Sequence, residues 1–179
     1  MFKILKKEDR KISKWSGGIT EQLYIYPETS EYAKRDFIFR ISIATTELES
    51  SQFTKLPNVK RFLSILDGRL EIEHKGHHHI VLNKYEIDEF SGDWDTYSKG
   101  KVRDFNLMIK GSDGNFKYKN LSKNEELDIS VESKHKFVFC IEGDVMVNNH
   151  LLKKEEIAII ENENVKINGV GKIFYGYIQ

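Results

Sequence analysis

The 179-residue chain carries 28 basic and 28 acidic side chains, so its formal net charge at pH 7 is zero. This balance argues against the basic surface that nucleic-acid binding requires. No apolar run approaches the roughly 20 residues of a membrane-spanning helix, and residues 1–10 lack the apolar core of a signal peptide. The single cysteine, Cys140, excludes an internal disulfide, fits a reducing cytoplasm and is predicted to be a small buried residue. We therefore expect a cytoplasmic protein without nucleic-acid or membrane partners.

The predicted elements are almost all β-strands. Val, Ile, Phe and Tyr dominate the apolar positions, alternation with polar residues is common, and Gly, Asn or Asp marks the turns. The one exception is a short helical turn predicted at residues 30–34. The sequence thus favours an all-β protein.

Two of these strands alternate between an apolar and a charged or polar face. They lie at residues 37–44 and 102–109, and their period of two sends neighbouring side chains to opposite faces. Polar groups in the middle of a strand are costly to bury unless they are paired or hydrogen-bonded. Their polar faces are therefore expected either to contact solvent or to line a binding cavity. The polar residues concerned are Arg40, Ser42, Asp104 and Asn106.

The chain also repeats itself. Residues 61–73 are predicted to form a hairpin with Asp67 and Gly68 as its turn, and residues 137–147 show the same pattern of an apolar strand, an acidic-glycine turn and a second apolar strand. Two further pairs of segments match in the same order, which indicates a duplicated all-β unit. They are residues 84–87 with 154–157 and residues 105–109 with 174–178.

We predict two tandem cupin-type β-sandwich barrels, each a jelly roll, in a bicupin arrangement. The turn-forming linker at residues 111–115 separates residues 1–111 from residues 112–179. The first barrel is expected to carry the ligand pocket. The second is expected to be smaller and structural, because its inward positions are largely apolar; strands shared between the halves are compatible with this division.

Three blocks of the first half resemble the HutD/Ves family. Residues 15–21 resemble its Trp-x-Gly-Gly-x-Thr motif. Residues 40–44 and 53–61 are similar to its Arg-x-Ser-x-Ala and Phe-Ser-x-x-Pro-Gly-x-x-Arg patterns, with Thr54 and Asn58 in place of the Ser and the Gly. The third block comprises residues 90–93 and 102–108.

The resemblance implies a bicupin that is often dimeric and is encoded in some bacteria beside histidine-utilisation genes. It also implies binding of a small acidic metabolite of the histidine pathway, such as formylglutamate. We accordingly expect a homodimer with a regulatory or accessory role.

Cupins commonly hold a metal ion through histidines that flank the central hairpin. Residues 52–60 and 102–109 contain no histidine, so we expect neither a barrel metal ion nor another cofactor. The histidines between positions 74 and 79 flank Lys75 and Gly76, which favours a solvated turn. The alternative is an adventitious surface metal patch, for which only His77 and His79 would converge.

The polar strand faces instead predict an anion pocket. Guanidinium groups bind a carboxylate through two parallel hydrogen bonds, so Arg40 and Arg61 are the candidates that hold the ligand. Further polar and aromatic residues are expected to orient the ligand or cover its apolar parts. They are Ser42, Asp104, Asn106, Trp15, Phe53 and Phe90.

Three alternatives remain open. In the first alternative, Arg40 and Asp104 form a buried ion pair that closes the barrel. A metal-free isomerase or hydrolase would use Asp104 as its acid or base, although neighbouring arginines would lower the pKa of that carboxyl group. A purely structural or protein-interaction module would have no cavity.

Overall fold

The computed structural model describes residues 1–179 and contains seventeen strands and two short 3-10 helices, Lys7–Asp9 and Tyr32–Lys34. The predicted all-β class is confirmed, and the second 3-10 helix occupies the helical turn predicted at residues 30–34. No helix is long and apolar enough to cross a membrane. The strands are β1 (Phe2–Leu5), β2 (Lys11–Trp15), β3 (Gly18–Tyr26), β4 (Phe39–Thr46), β5 (Ser50–Gln52), β6 (Val59–Gly68), β7 (Leu70–His74), β8 (His78–Leu82), β9 (Ile87–Ser91), β10 (Thr96–Lys99), β11 (Val102–Lys110), β12 (Gly114–Leu121), β13 (Glu126–Ile129), β14 (His135–Val147), β15 (His150–Lys153), β16 (Ile157–Glu161) and β17 (Val165–Ile178).

The chain forms two units. The first unit comprises Lys11–Gly111, and the second comprises Met1–Arg10 together with Ser112–Gln179. The division predicted from the sequence assigned residues 1–10 to the first unit. They lie in the second because β1 pairs antiparallel with β16, with Ile4 opposite Ala158.

The first unit has two sheets. One has six strands in the order β2-β3-β4-β11-β6-β9, and the other has four in the order β5-β10-β7-β8. Both sheets contribute to one apolar cluster, as expected for a two-layer sandwich. Its buried members are Leu63, Ile65, Leu70, Ile72, Leu82, Phe90 and Val102.

The predicted hairpin at Asp67 and Gly68 is wrong. Strand β6 runs to Gly68 and pairs with β11, whereas β7 pairs with β8 and β10 in the other sheet. Gly68 has φ +91°, and a Cβ there would lie 2.6 Å from the carbonyl oxygen of Lys101. The acidic-glycine pair is therefore a corner at which the chain leaves one sheet for the other.

The second unit is a seven-stranded assembly built on the long strands β14 and β17. Strand β14 passes through Gly143 without turning back, and its register with β17 shifts between Cys140 and Glu142. The second acidic-glycine pair is thus part of a bulge within one bent strand.

The predicted duplication is present in the strand pairing. Strand β14 pairs first with β16 and then with β15, as β6 pairs with β9 and β7 with β8. Strand β17 takes the place of β10 and β11 together. Strands β12 and β13 pair with β17 as β4 pairs with β11 and β5 with β10. Each unit therefore repeats one jelly-roll pattern of neighbours.

Seven residues were predicted to face inward. Val138, Cys140, Val145 and Val147 belong to the core cluster of the second unit, whereas Ile157, Ile159 and Phe174 are buried outside this cluster. Burial raises the pKa of the Cys140 thiol to about 12. A thiol with so high a pKa is not a nucleophile near neutral pH, so Cys140 has the structural role expected from the sequence.

Candidate functional site

The polar faces of the two charged strands are buried. Arg40, Asp104 and Asn106 are each 5% exposed and Ser42 is 2% exposed. The solvent-facing interpretation of these faces is therefore wrong. Their polar groups need partners inside the protein or from a ligand.

The strand register brings Arg40 and Arg61 to one face of the six-stranded sheet. Met108 of β11 lies opposite Arg40 of β4 on one side and opposite Arg61 of β6 on the other. Directly opposite residues of antiparallel strands point to the same face. Asn106 and Ser42 form the next row of that face, and Asp104 lies one row further along.

Arg40 is surrounded by neutral and cationic groups. Its Nε–H donates a 2.9 Å hydrogen bond to Oε1 of Gln22. Its guanidinium carbon lies 4.2 Å from the centre of the Tyr32 ring, and that of Arg35 lies 4.1 Å from the same ring. Burial lowers the pKa of Arg40 to about 10, and the charges of Arg35 and Arg61 act in the same direction. No salt bridge to a carboxylate offsets this loss of solvation.

Arg61 has still fewer polar partners. Its guanidinium carbon lies 5.0 Å from the Phe53 ring centre and 5.1 Å from that of Phe90, and its buried Nε–H has no acceptor. Burial is the main cause that lowers the pKa of Arg61. The structure thus places two predicted aromatic residues against a guanidinium group that lacks a hydrogen-bond acceptor.

Trp15 does not join this group. It lies on the edge strand β2 opposite Gly18, which is in turn opposite Thr46 of β4. Thr46 is six residues along β4 from Arg40, or roughly 20 Å at the rise of a strand. Trp15 is 41% exposed. The structure therefore separates Trp15 from the other predicted site residues.

Asp104 is held by Asn106, whose Nδ2 donates a hydrogen bond to Oδ1 of the carboxyl group. Burial raises the pKa of Asp104 to about 7, although the bond from Asn106 and the charge of Arg61 both act to lower it. Arg61 lowers this pKa as expected, but desolvation is the larger effect and the net shift is upward.

The alternative of an Arg40–Asp104 ion pair fails on geometry. Arg40 lies opposite Met108, which is four residues along β11 from Asp104. Four residues of a strand span roughly 13 Å, and no salt bridge joins the two side chains, because Arg40 donates to Gln22 instead.

A second polar group lies in the same unit. Nε2 of His74 is 2.8 Å from Oδ2 of Asp88, and Nε2 of His78 is 2.9 Å from Oδ1 of the same carboxylate. The turn at Lys75 and Gly76 is exposed as predicted, but His74 itself is only 1% exposed. The solvated-turn prediction therefore missed a buried histidine.

The two histidines predicted to converge on a surface metal do not do so. The ring of His77 stacks on Trp94 with its centre 3.8 Å away, and Nε2 of His79 lies 3.0 Å from Oε1 of Glu71.

The family model of HutD matches residues 7–175 of the chain. The chain belongs to the HutD family. Among solved structures, this HutD-family chain is similar to the conserved protein of unknown function PA5104 from Pseudomonas aeruginosa PAO1, with 19% identity and a TM-score of 0.86 over 100% of this chain and 99% of the other. It is similar to HutD from Pseudomonas fluorescens SBW25, solved in a formate condition, with 17% identity and a TM-score of 0.83 over 100% of both chains.

The HutD-family fold also extends to proteins with other names. The nickel(II) complex of the bacterial pirin YhhW from Escherichia coli matches with 11% identity and a TM-score of 0.74 over 99% of this chain and 98% of the other. No curated protein matches the sequence. At these identities the structural likeness supports the fold alone.

Sequence reasoning missed four polar or aromatic residues beside the arginines of this HutD-family protein. Tyr32 and Arg35 lie in and just after the second 3-10 helix, where strand alternation gives no signal. Nζ of Lys110 donates a 2.5 Å hydrogen bond to the carbonyl oxygen of Arg35 and adds another cation. The fourth residue is Gln22, the acceptor for Arg40.

One concavity of the first unit lies away from the arginines. It has a volume of about 470 Å³ and is lined by residues of β5, β7 and β10, which include Gln52, Glu73 and Tyr97. Neither Arg40 nor Arg61 lines this concavity.

Proposed function

We propose that the first unit binds a small carboxylate-bearing metabolite, and that Arg40 and Arg61 hold the carboxylate without a metal ion. One observation carries the proposal: two guanidinium groups are buried on one sheet face, and neither forms a salt bridge, although the charge of Asp104 acts on Arg61. Burying a charge is costly unless it is paired. A carboxylate ligand would supply the missing acceptors and compensate both charges.

The remaining groups favour a compact ligand with a second polar end. Ser42 and Asn106 offer a hydroxyl and an amide in the row beside the arginines. Asp104, with its pKa raised to about 7, accepts a hydrogen bond when ionised and donates one when protonated. These groups suit an amino-acid derivative such as formylglutamate. They agree with the link to histidine degradation, and with the regulatory or accessory role, that we propose for this protein.

Calorimetric titration with formylglutamate, formiminoglutamate and urocanate tests the proposal. Arg40→Met and Arg61→Met should each weaken binding at least about tenfold, since a charge-assisted hydrogen bond contributes about 1.5–3 kcal/mol. Arg103→Met is the matched control, because Arg103 lies on β11 with its side chain 27% exposed beside Glu21. Failure of all three acids to bind, or equal affinity in the arginine variants, would refute the proposal.

The same variants separate a binding role from a structural one. Without ligand, Arg61→Met should unfold at an equal or higher temperature than the wild type, because it removes a buried charge that lacks an acceptor. A structural role predicts the opposite, a lower unfolding temperature.

A second candidate function rests on the pKa of Asp104. A value of about 7 is suitable for a general acid or base at neutral pH, so a metal-free isomerase or hydrolase is the alternative. Conversion of a bound acid, followed by NMR and lost in Asp104→Asn while binding is retained, would favour the enzyme.

We also propose that the protein acts as a homodimer, as the resemblance to its family implies, and that it does so in the cytoplasm, which its single cysteine favours. Sedimentation velocity should then give a species of about twice the 21.0 kDa chain mass.

A further inference from the structure

His74, His78 and Asp88 form a cluster, and one hairpin supplies its two histidines. Strands β7 and β8 pair with His74 directly opposite His78, and residues 75–77 form the connecting loop. Opposite residues of an antiparallel pair lie on the same face, with Cβ atoms about 5 Å apart. The hairpin therefore aims both imidazoles in one direction.

The third member comes from the other sheet of the first unit. Asp88 of β9 lies opposite Leu63, a member of the apolar cluster between the two sheets. Its carboxylate reaches both rings, and one candidate ligand atom from each of the three residues lies within 4.8 Å of the others. A site with ligands from two packed sheets is fixed by the fold rather than by one mobile loop.

The surroundings orient the ligands. Nδ1 of His74 lies 2.8 Å from Oγ1 of Thr96, a contact that fixes the plane of the ring. The side chains of His74 and Asp88 are 0% and 4% exposed, whereas that of His78 is 38% exposed. One side of the cluster is thus closed by protein and the other is open to solvent.

We propose that His74, His78 and Asp88 bind a divalent transition-metal ion, with Zn²⁺ as the best match to two imidazole nitrogens and one carboxylate oxygen. Three protein ligands leave a fourth position for water or another small molecule. The metal would take the Nε2 lone pairs, so each neutral ring would carry its proton on Nδ1. In His74 that N–H would donate to Thr96.

This metal site is separate from the proposed anion site and shares no ligand with it. The two approach each other at Phe90, whose ring centre is 4.5 Å from that of His74 and 5.1 Å from the guanidinium carbon of Arg61. Either site can fail its test without affecting the other.

Trp94 provides a local readout. Its ring centre is 5.4 Å from that of His74 and 5.7 Å from that of His78. The other tryptophan is Trp15, so a Trp15→Phe background makes the emission specific to Trp94. Co²⁺, a paramagnetic substitute for Zn²⁺, should quench this emission saturably, and calorimetry should give about one Zn²⁺ per chain.

Three variants locate the ion. His78→Ala and Asp88→Asn should each weaken Zn²⁺ binding at least about tenfold, as expected for a lost ligand. His79→Asn should bind Zn²⁺ with the same affinity as the Trp15→Phe background. It is the matched control, because His79 is exposed and also lies beside a carboxylate, Glu71. Thermal unfolding confirms that each variant is folded, and His78→Ala, at the open side, suffices if Asp88→Asn does not fold.

Loss of binding in His78→Ala with retention in His79→Asn supports the site. Loss in His79→Asn with retention in His78→Ala would assign the ion to an exposed patch and overturn the proposal. Absence of saturable Zn²⁺ binding and of Trp94 quenching would also overturn it, leaving the cluster as a hydrogen-bonded structural group.

Discussion

Desolvation dominates the chemistry of the individual buried residues. Asp104 lies near Arg61 and accepts a hydrogen bond from Asn106, two effects that favour its ionised form, yet its pKa rises to about 7. The same loss of water lowers the pKa of Arg40 to about 10. Both groups are therefore more easily neutralised than they would be in water. A ligand group of opposite charge beside either one would reverse the pKa shift of that residue.

The raised pKa of Asp104 predicts how stability depends on pH. Below about pH 4 the carboxyl group is protonated in both the folded and the unfolded chain. Between about pH 4 and 7 the unfolded chain releases this proton while the folded chain keeps it, so the free energy of unfolding should fall by up to about 4 kcal/mol. Above about pH 7 this contribution should be constant. Denaturant unfolding across this range measures the change.

Asp104→Asn should flatten that decline, because the amide has no proton to retain and can still accept a bond from Asn106. Asp95→Asn is the control. Asp95 is exposed, and its hydrogen bond to Lys55 lowers its pKa, so this group makes the free energy of unfolding rise with pH. Its replacement therefore cannot flatten a fall in that free energy. Parallel curves for the wild type and Asp104→Asn over this interval would show that the folded protein does not retain the proton of Asp104.

Strand alternation predicted which polar side chains share a face, because the period of two fixes this, but it left open whether the face is buried. The same rule would have placed His74 with Leu70 and Ile72 on an inward face, a signal hidden by its neighbouring turn. Its partner Asp88 was not predictable, because it comes from a different sheet. Tyr32 and Arg35 lie outside the strands and follow no period.

At the scale of elements, the two acidic-glycine pairs show where local patterns mislead. Each reads as a hairpin turn, but one is a corner between sheets and the other a bulge in β14. The sequence signal reports only a glycine with positive φ, +91° at Gly68 and +84° at Gly143. Which strand pairs on either side is decided by long-range contacts that the local pattern does not contain.

Gly143→Ala should therefore destabilise the second unit strongly. A Cβ at this position would lie 2.3 Å from the carbonyl oxygen of Val170, and the left-handed backbone adds its own strain. We expect about 1–2 kcal/mol from the backbone and about 1–3 kcal/mol from the forced shift of neighbours.

Gly111→Ala is the matched control for this substitution. Its φ is +69°, but a Cβ there would have no heavy atom within 4 Å, so only the backbone strain applies. Denaturant unfolding of both variants separates the two costs. Equal destabilisation would mean that the close approach to Val170 relaxes freely.

At the scale of the whole molecule, duplication gave two units with one pattern of strand pairing but different buried polar groups. Lys136 of β14 lies opposite Tyr177 of β17, as Arg61 lies opposite Met108 of β11. Lys136 is buried too, but its Nζ donates a 3.0 Å hydrogen bond to the carbonyl oxygen of Glu163. The buried cation of the second unit is thus satisfied internally, which agrees with a structural role, whereas Arg61 has no such acceptor.

The N-terminal segment completes the second unit through Arg10. Its NH1 group is 3.0 Å from Oε2 of Glu155, and its NH2 group donates to the carbonyl oxygen of the same residue. The backbone N–H of Glu155 donates a 2.7 Å hydrogen bond to the carbonyl oxygen of Cys140 on β14. Arg10 therefore links the segment before the first unit to the centre of the second.

Arg10→Met should lower the stability of the second unit by about 3 kcal/mol, because it leaves the partly buried carboxylate of Glu155 without its cation. Hydrogen exchange should accelerate in β14 and β16 and remain unchanged in β4, β6 and β11 of the first unit. Lys7→Met, an exposed substitution in the same segment, is the control. Unchanged exchange in β14 would show that the strand pairing of β1 with β16, rather than the ion pair, holds the N-terminus in place.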